Sequence, residues 1–215
     1  MILNIHGFKG EGDNSKYKWL CKNAPCHEIY SPTFDYESEH PYNILEHLLN
    51  RISSYHRKTT NGVYVVGNSL GGFFARRVNQ ISGVTALLIN PSLAPFLTLR
   101  GHLNDNQCQA YLNMLAKYAY EDEYGYDCEH GYRYDNRECL NVIIGDSDEL
   151  IDHEILTKPL LPPRFKNLHT IPGGTHHLDM TPEVENIFRS VIQTPEGGAD
   201  GDPRYLHHCG AKKLP

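Results

Sequence analysis

Hydrophobic residues along this chain fall into short compact runs separated by segments with a helical period. Met1–Ile5, Val63–Val66, Ala86–Ile89 and Val142–Ile144 are near-continuous apolar runs, the pattern of strands covered on both faces of a parallel sheet. His27–Tyr30 and Leu168–Ile171 are weaker runs of the same kind. Between them, Ile44, Leu45, Leu48, Leu49, Ile52 and Tyr55 recur at helical spacing and draw one apolar stripe. Pro41 stands just ahead, where a helix start tolerates proline. The spacing predicts a second helix from Leu70 to Ile81, with Phe73, Phe74, Val78 and Ile81 turned inward. A third spans Asp105 to Tyr118, with Cys108, Tyr111, Leu112 and Leu115 on one side, and a last one spans Pro182 to Ile192. Strands alternating with helices predict an α/β fold, with an open, mostly parallel sheet and helices on both faces, in one domain over residues 1–192.

Two segments depart from this pattern. Residues 118–137 are dense in Tyr, Asp and Glu and almost free of aliphatic side chains, which makes them a candidate lid or insertion. Residues 193–215 are rich in glycine and poor in apolar residues, so a flexible tail is expected there. The 20 Lys+Arg against 26 Asp+Glu give a net charge of -6, which excludes a generally basic nucleic-acid binder. No apolar run approaches the roughly 20 residues of a membrane span. The first apolar stretch is broken by Asn4 and ends at Ile5, too short for a secretory signal. None of the six cysteines forms a CxxC pair, so reduced thiols in a cytoplasmic protein are expected. Two conceivable zinc sets, Cys128–His130–Cys139 and His207–His208–Cys209, lack finger-like spacing, and no metal or cofactor is expected.

The chemistry concentrates at Gly67-Asn68-Ser69-Leu70-Gly71-Gly72, between a predicted strand and a predicted helix. A G-x-S-x-G turn in that context is a nucleophile elbow. The turn is tight enough that side chains at positions 67 and 71 would collide with backbone, and it lifts the serine hydroxyl onto a helix N-terminus. A serine nucleophile needs a base, and the base needs an orienting carboxylate. In chain order, the strand at Val142–Ile144 is followed by Asp146, Asp148, Glu149 and Asp152, and the strand at Leu168–Ile171 by Gly173-Gly174-Thr175-His176-His177. Asp148 is favoured over Asp146 because the loop needs several residues to turn back, and Asp152 is assigned as a helix cap. His176, nearer the Gly-Gly turn, is favoured over His177. His6-Gly7-Phe8 follows the first strand, and the N–H groups of Phe8 and Leu70 are candidate oxyanion donors. His6, His40, His102 and His130 carry no assigned role.

These pieces, together with Asn90-Pro91-Ser92-Leu93-Ala94-Pro95-Phe96 after the third strong run, resemble the α/β-hydrolases. More narrowly they resemble the small bacterial YqiA-type esterases of the UPF0227 group, over residues 1 to 192. The resemblance implies a minimal α/β-hydrolase fold, esterase activity on short acyl esters, no cofactor, and Ser69 as nucleophile, Asp148 as acid and His176 as base. Ser92, Leu93 and Phe96 are candidates for lining the acyl pocket, with Pro95 and Phe96 packing under a helix as an equal alternative. The expected partner is a small-molecule ester. A thioesterase or deacylase would use the same three residues, and a silent hydrolase-fold binding module is the alternative outside enzymes. The carboxylates of residues 118–137 would disfavour anionic substrates if they lay near the site mouth.

Overall fold

The computed structural model describes residues 1–59, 62–124, 139–162 and 165–192. Six strands, β1 (Ile2–Ile5), β2 (Ile29–Tyr30), β3 (Tyr64–Asn68), β4 (Thr85–Ile89), β5 (Leu140–Gly145) and β6 (Leu168–Ile171), form one sheet in the order β2-β1-β3-β4-β5-β6. Every pairing is parallel. The register sets Ile5 beside Gly67, Asn68 beside Ile89, and Gly145 beside Ile171. The loops after these residues therefore leave the sheet along one edge, where sites on open α/β sheets assemble.

Helices α1 (Ser15–Asn23), α2 (Pro41–His56), α3 (Leu70–Ser82), α4 (Pro95–Thr98), α5 (Asp105–Tyr124), α6 (His153–Leu156) and α7 (Pro182–Ile192), with a 3-10 turn at Lys158–Leu160, complete the described elements. Strand side chains alternate between two separate cores. Leu3, Ile5, Val65, Ala86, Leu88, Val142 and Ile144 pack with α2, α3 and α5. Ile2, Val66, Leu87, Ile89 and Ile143 pack on the opposite face with Trp19 and Leu20 of α1 and with Val184, Phe188, Val191 and Ile192 of α7. Both strand faces are covered, which is why these strands read as continuous apolar runs.

Several elements differ from the sequence expectation. α1 escapes a periodicity reading because only Lys16, Trp19 and Leu20 are buried in its nine residues. Its start is marked instead by the Asn14 side chain, which accepts from the amide of Tyr17 at 2.9 Å. In α3, Phe73, Phe74 and Val78 face inward as expected, but Ile81 is exposed, because the last turn runs past the sheet toward Gly83. In α5 the inward stripe is Gln107, Tyr111 and Met114, while Leu112 faces solvent. α5 also continues to Tyr124 and so takes in the first part of the 118–137 segment, where Ala119, Glu121 and Glu123 favour helix. The rest of that candidate lid, the tail from 193, Cys128, His130 and the His207–His208–Cys209 set lie outside the described residues. Among the described residues no helix is long and apolar enough to cross a membrane, and no group of three His, Cys, Asp or Glu side chains could hold a metal.

The core beneath the elbow is aromatic. Phe74, fully buried, stacks on Tyr36 at 5.8 Å and meets Phe73 and Tyr111 edge-on. Phe74→Ala is expected to lower unfolding free energy by about 3–5 kcal/mol, read from urea denaturation midpoints.

Candidate active site

The turn between β3 and α3 holds Ser69 at φ 53° and ψ -120°, a backbone region that L-residues resist. The neighbouring glycines make it possible. A Cβ at Gly67 would lie 2.3 Å from the Gly71 carbonyl oxygen, and one at Gly71 would lie 2.2 Å from that of Ile5. The Ser69 amide donates to Ile89 O at 2.9 Å, and Ser69 O accepts from Ser92 N at 3.0 Å, so the elbow is fastened to β4 as well as to β3.

Three side chains from three loops meet above this turn. His176 Nε2 lies 3.0 Å from Ser69 Oγ. Its Nδ1 lies 2.9 Å from Asp148 Oδ2 and 3.1 Å from Oδ1. The Asp148 side chain is only 1% exposed. Burial pushes its pKa up, but hydrogen bonds from His176 and from the amides of Leu150 and Ile151, both at 2.9 Å to Oδ1, outweigh this and hold it below the usual carboxylate value. A carboxylate only accepts, so Nδ1 of His176 carries the proton and Nε2 presents its lone pair to the serine hydroxyl.

The neighbouring acids have other tasks. Asp146 Oδ1 accepts from Gly173 N at 2.7 Å and so pins the Gly-Gly turn. Glu149 Oε2 accepts from the His176 amide at 3.1 Å. Asp152 caps α6 through Glu154 N and Ile155 N. His177 is exposed, with its ring 5.7 Å from that of His176.

A cleft of about 430 Å³ opens in front of Ser69. Phe8, Ser92, Leu99, His102, Leu150 and Ile151 are among its walls. Of the three residues expected to line an acyl pocket, Ser92 stands in the wall of this cleft. Leu93 is 1% exposed and packs in the core, and Phe96 packs against that core. The turn into α4 directs both side chains inward, and Leu99 beyond α4 supplies apolar wall in their place.

The loop carrying Phe8 is held by its own histidine. His6 Nδ1 donates to Gly7 O at 2.7 Å, and its Nε2 accepts from Phe34 N at 2.9 Å. Gly10 N also donates to Gly7 O at 3.0 Å, and Tyr36 OH donates to His6 O at 2.8 Å. No peptide among the described residues is cis. Fixing the Gly7 carbonyl on one side therefore turns the Phe8 N–H to the opposite side. A Cβ at Gly7 would lie 3.0 Å from Ser69 Cβ, so this loop runs directly against the elbow. Leu70, the first residue of α3, has an amide with no partner within its helix.

Two further residues position the site. Asn90, fully buried with φ 40°, donates from Nδ2 to Thr175 O at 2.8 Å and to His176 O at 3.0 Å, and its Oδ1 accepts from Gly145 N at 2.7 Å. One side chain at the end of β4 thus ties the acid loop to the histidine loop. Lys16 is buried and donates to Leu178 O at 2.7 Å, fastening α1 to the same histidine loop. Asn90 left a trace in the sequence as the first residue of Asn-Pro, but its partners are far away along the chain. Lys16 left none.

The family model of an uncharacterised protein family, UPF0227, matches residues 1–180. The chain belongs to UPF0227. A UPF0227 protein from Shewanella woodyi is 28% identical over 166 residues, covering 74% of this chain and 82% of that protein. One from Yersinia enterocolitica is 24% identical over 190 residues, covering 87% and 96%. Among solved structures, Est1E from Butyrivibrio proteoclasticus with ferulic acid bound superposes with a TM-score of 0.61 at 15% identity, covering 89% of this chain and 88% of that one. The Paleococcus ferrophilus monoacylglycerol lipase gives 0.56 at 15% identity, covering 89% and 91%. With the all-parallel sheet, these likenesses establish an α/β-hydrolase fold for this UPF0227 member.

Burial holds the pKa values of His6, His153 and His169 below 6.5. The unfolded chain therefore takes up these protons first. Their contribution to stability is intact above 6.5 and is lost as pH falls below it. The urea midpoint is expected to drop between about pH 7 and pH 5. Asn90→Ala removes three buried partners and is expected to cost at least about 1–3 kcal/mol, measured the same way.

Proposed function

We propose that this protein is a serine hydrolase acting on short-chain carboxylic esters. The observation that carries this reading is the unbroken line from Asp148 through His176 to the strained Ser69, at 2.9 and 3.0 Å, opening onto a cleft. The monoacylglycerol lipase and the ferulic-acid-bound Est1E among the fold neighbours agree with it.

In this reading Ser69 Oγ attacks the ester carbonyl carbon while His176 Nε2 takes the hydroxyl proton. Asp148 stabilises the imidazolium that forms. The carbonyl oxygen becomes an oxyanion held by the N–H groups of Phe8 and Leu70, the latter at the positive end of α3. Collapse of the tetrahedral intermediate passes the proton from His176 to the leaving alkoxide and leaves an acyl-serine. Water, deprotonated by His176, then repeats the sequence and frees the acid. Phe8, Leu99, Leu150 and Ile151 offer apolar wall for a short acyl group or for the alcohol part. No step requires a metal or a cofactor.

Ser69→Ala is expected to lower hydrolysis of a p-nitrophenyl ester by several orders of magnitude, and a fluorophosphonate probe is expected to label wild-type protein at Ser69. Undiminished hydrolysis by folded Ser69→Ala protein would sink the mechanism, and absent labelling of folded wild type would favour a binding module. An acyl-chain series run beside acyl-CoA separates esterase from thioesterase. Asp148→Asn is expected to cost about 10⁴-fold in kcat, and Asp146→Asn far less, because Asp146 only pins the Gly173 turn.

A further inference from the structure

Asp148 holds a second histidine. His153, at the start of α6 and 6% exposed, sets its Nε2 2.9 Å from Asp148 Oδ2, the same oxygen that His176 meets at 2.9 Å. Its Nδ1 lies 2.8 Å from Thr157 Oγ1, and Thr157 Oγ1 lies 3.1 Å from Pro91 O. The proton positions follow from what each group can do. A carboxylate only accepts, so Nε2 of His153 carries a proton. A neutral ring then accepts from the Thr157 hydroxyl at Nδ1. A charged ring would instead donate from Nδ1, and that hydroxyl would turn to Pro91 O. Thr157 can serve either state, and burial favours the neutral one.

We infer that His153 is a positioning residue for the His176–Asp148 pair: its ring donates from Nε2 to Asp148 Oδ2 and holds the carboxylate at the rotation in which His176 meets it. The inference rests on the serine-hydrolase reading for its kinetic consequence, though not for its geometry. Leu150 and Ile151 fix only Oδ1. With the carboxylate 1% exposed, water has little access to replace a lost partner on Oδ2. The groups that face His153 from all sides are Asp148 on the β5 loop, Asp152 on its own element, His176 on the β6 loop, Thr157 Oγ1, and the Pro91 carbonyl that Thr157 reaches. Burial pushes the His153 pKa down, the two aspartates push it up, and His176 pushes it down, with the net effect downward. The ring therefore stays neutral at neutral pH. Asp148 keeps its full negative charge for the imidazolium that His176 becomes.

Two measurements test this on the full chain. His153→Leu removes the donor and is expected to lower kcat on the p-nitrophenyl ester by about 10–100-fold, the usual effect of deleting an outer hydrogen-bond partner, with KM unchanged. His153→Gln retains an N–H at nearly the Nε2 position and is expected to recover most of the loss. Equal kcat in wild type and His153→Leu, or a Gln variant no better than a folded Leu variant, overturns the inference while leaving the esterase reading intact. Side-chain ¹⁵N NMR of the wild type provides a readout free of activity and of any folding defect. It should show His153 neutral with its proton on Nε2 near pH 8, and Asp148→Asn should lower its titration point. A proton on Nδ1 alone at that pH overturns the inference even if no ester is hydrolysed. Absence of fluorophosphonate labelling in the wild type, in contrast, strikes only the esterase reading.

Discussion

The backbone at Ser69 is held in a conformation that costs about 1–3 kcal/mol, and it persists because α3 lies so close to β1 that nothing larger than hydrogen fits at Gly71. That contact connects the elbow to the loop after β1, since Gly71 rests against the carbonyls of Ile5 and His6. The same approach brings Gly7 against Ser69 and sets the Gly7–Phe8 peptide, whose carbonyl His6 and Gly10 secure, beside the hydroxyl. Strain at one residue and the placing of two amides are therefore consequences of a single helix–strand distance. Any side chain that widened this gap would relax the serine and move both amides together.

Around the elbow, the site is held by polar side chains that each bridge more than one loop. Asn90 joins the ends of β4, β5 and β6. Asp148 collects two amides and two imidazoles. All of these groups are buried, where an unmet donor or acceptor costs more than a met one gains. The arrangement is cooperative for that reason: removing one member strands several others. The price is sensitivity to protonation, because the buried His6 and His153 and the half-buried His169 resist charging.

What was legible in the sequence follows from how local each signal is. The strands could be read because both faces are buried, and the elbow because its glycines sit at fixed spacing around Ser69 between an apolar run and a helix, although the contact that demands Gly71 comes from Ile5 far back in the chain. The order Ser69, Asp148, His176 could be read because each stands at the end of an apolar run. Leu93 and Phe96 read as cleft candidates because they follow Asn90-Pro91, but the turn into α4 buries Leu93 in the core and packs a half-buried Phe96 against it. α1 went unread because its buried face is three residues wide and one of them is a lysine. His153 was one histidine among 13, and nothing in its neighbourhood signals that Thr157 and Asp148 close on it from two sides. Asn90 reaches partners 85 and 86 residues away, a separation no local pattern reports.

The distance along the chain between Ser69 and His176, 107 residues, also orders events in time. A ribosome making about 5–20 residues per second needs roughly 5–20 s to cover that interval. During those seconds Ser69 is an ordinary alcohol on an unfinished sheet, since β5, β6 and the histidine loop do not yet exist. The hydroxyl meets the His176 ring only when β6 pairs, so a nascent chain cannot present the completed line of hydrogen bonds from Ser69 to Asp148 to its surroundings. Whatever chemistry that line supports is gated first by synthesis.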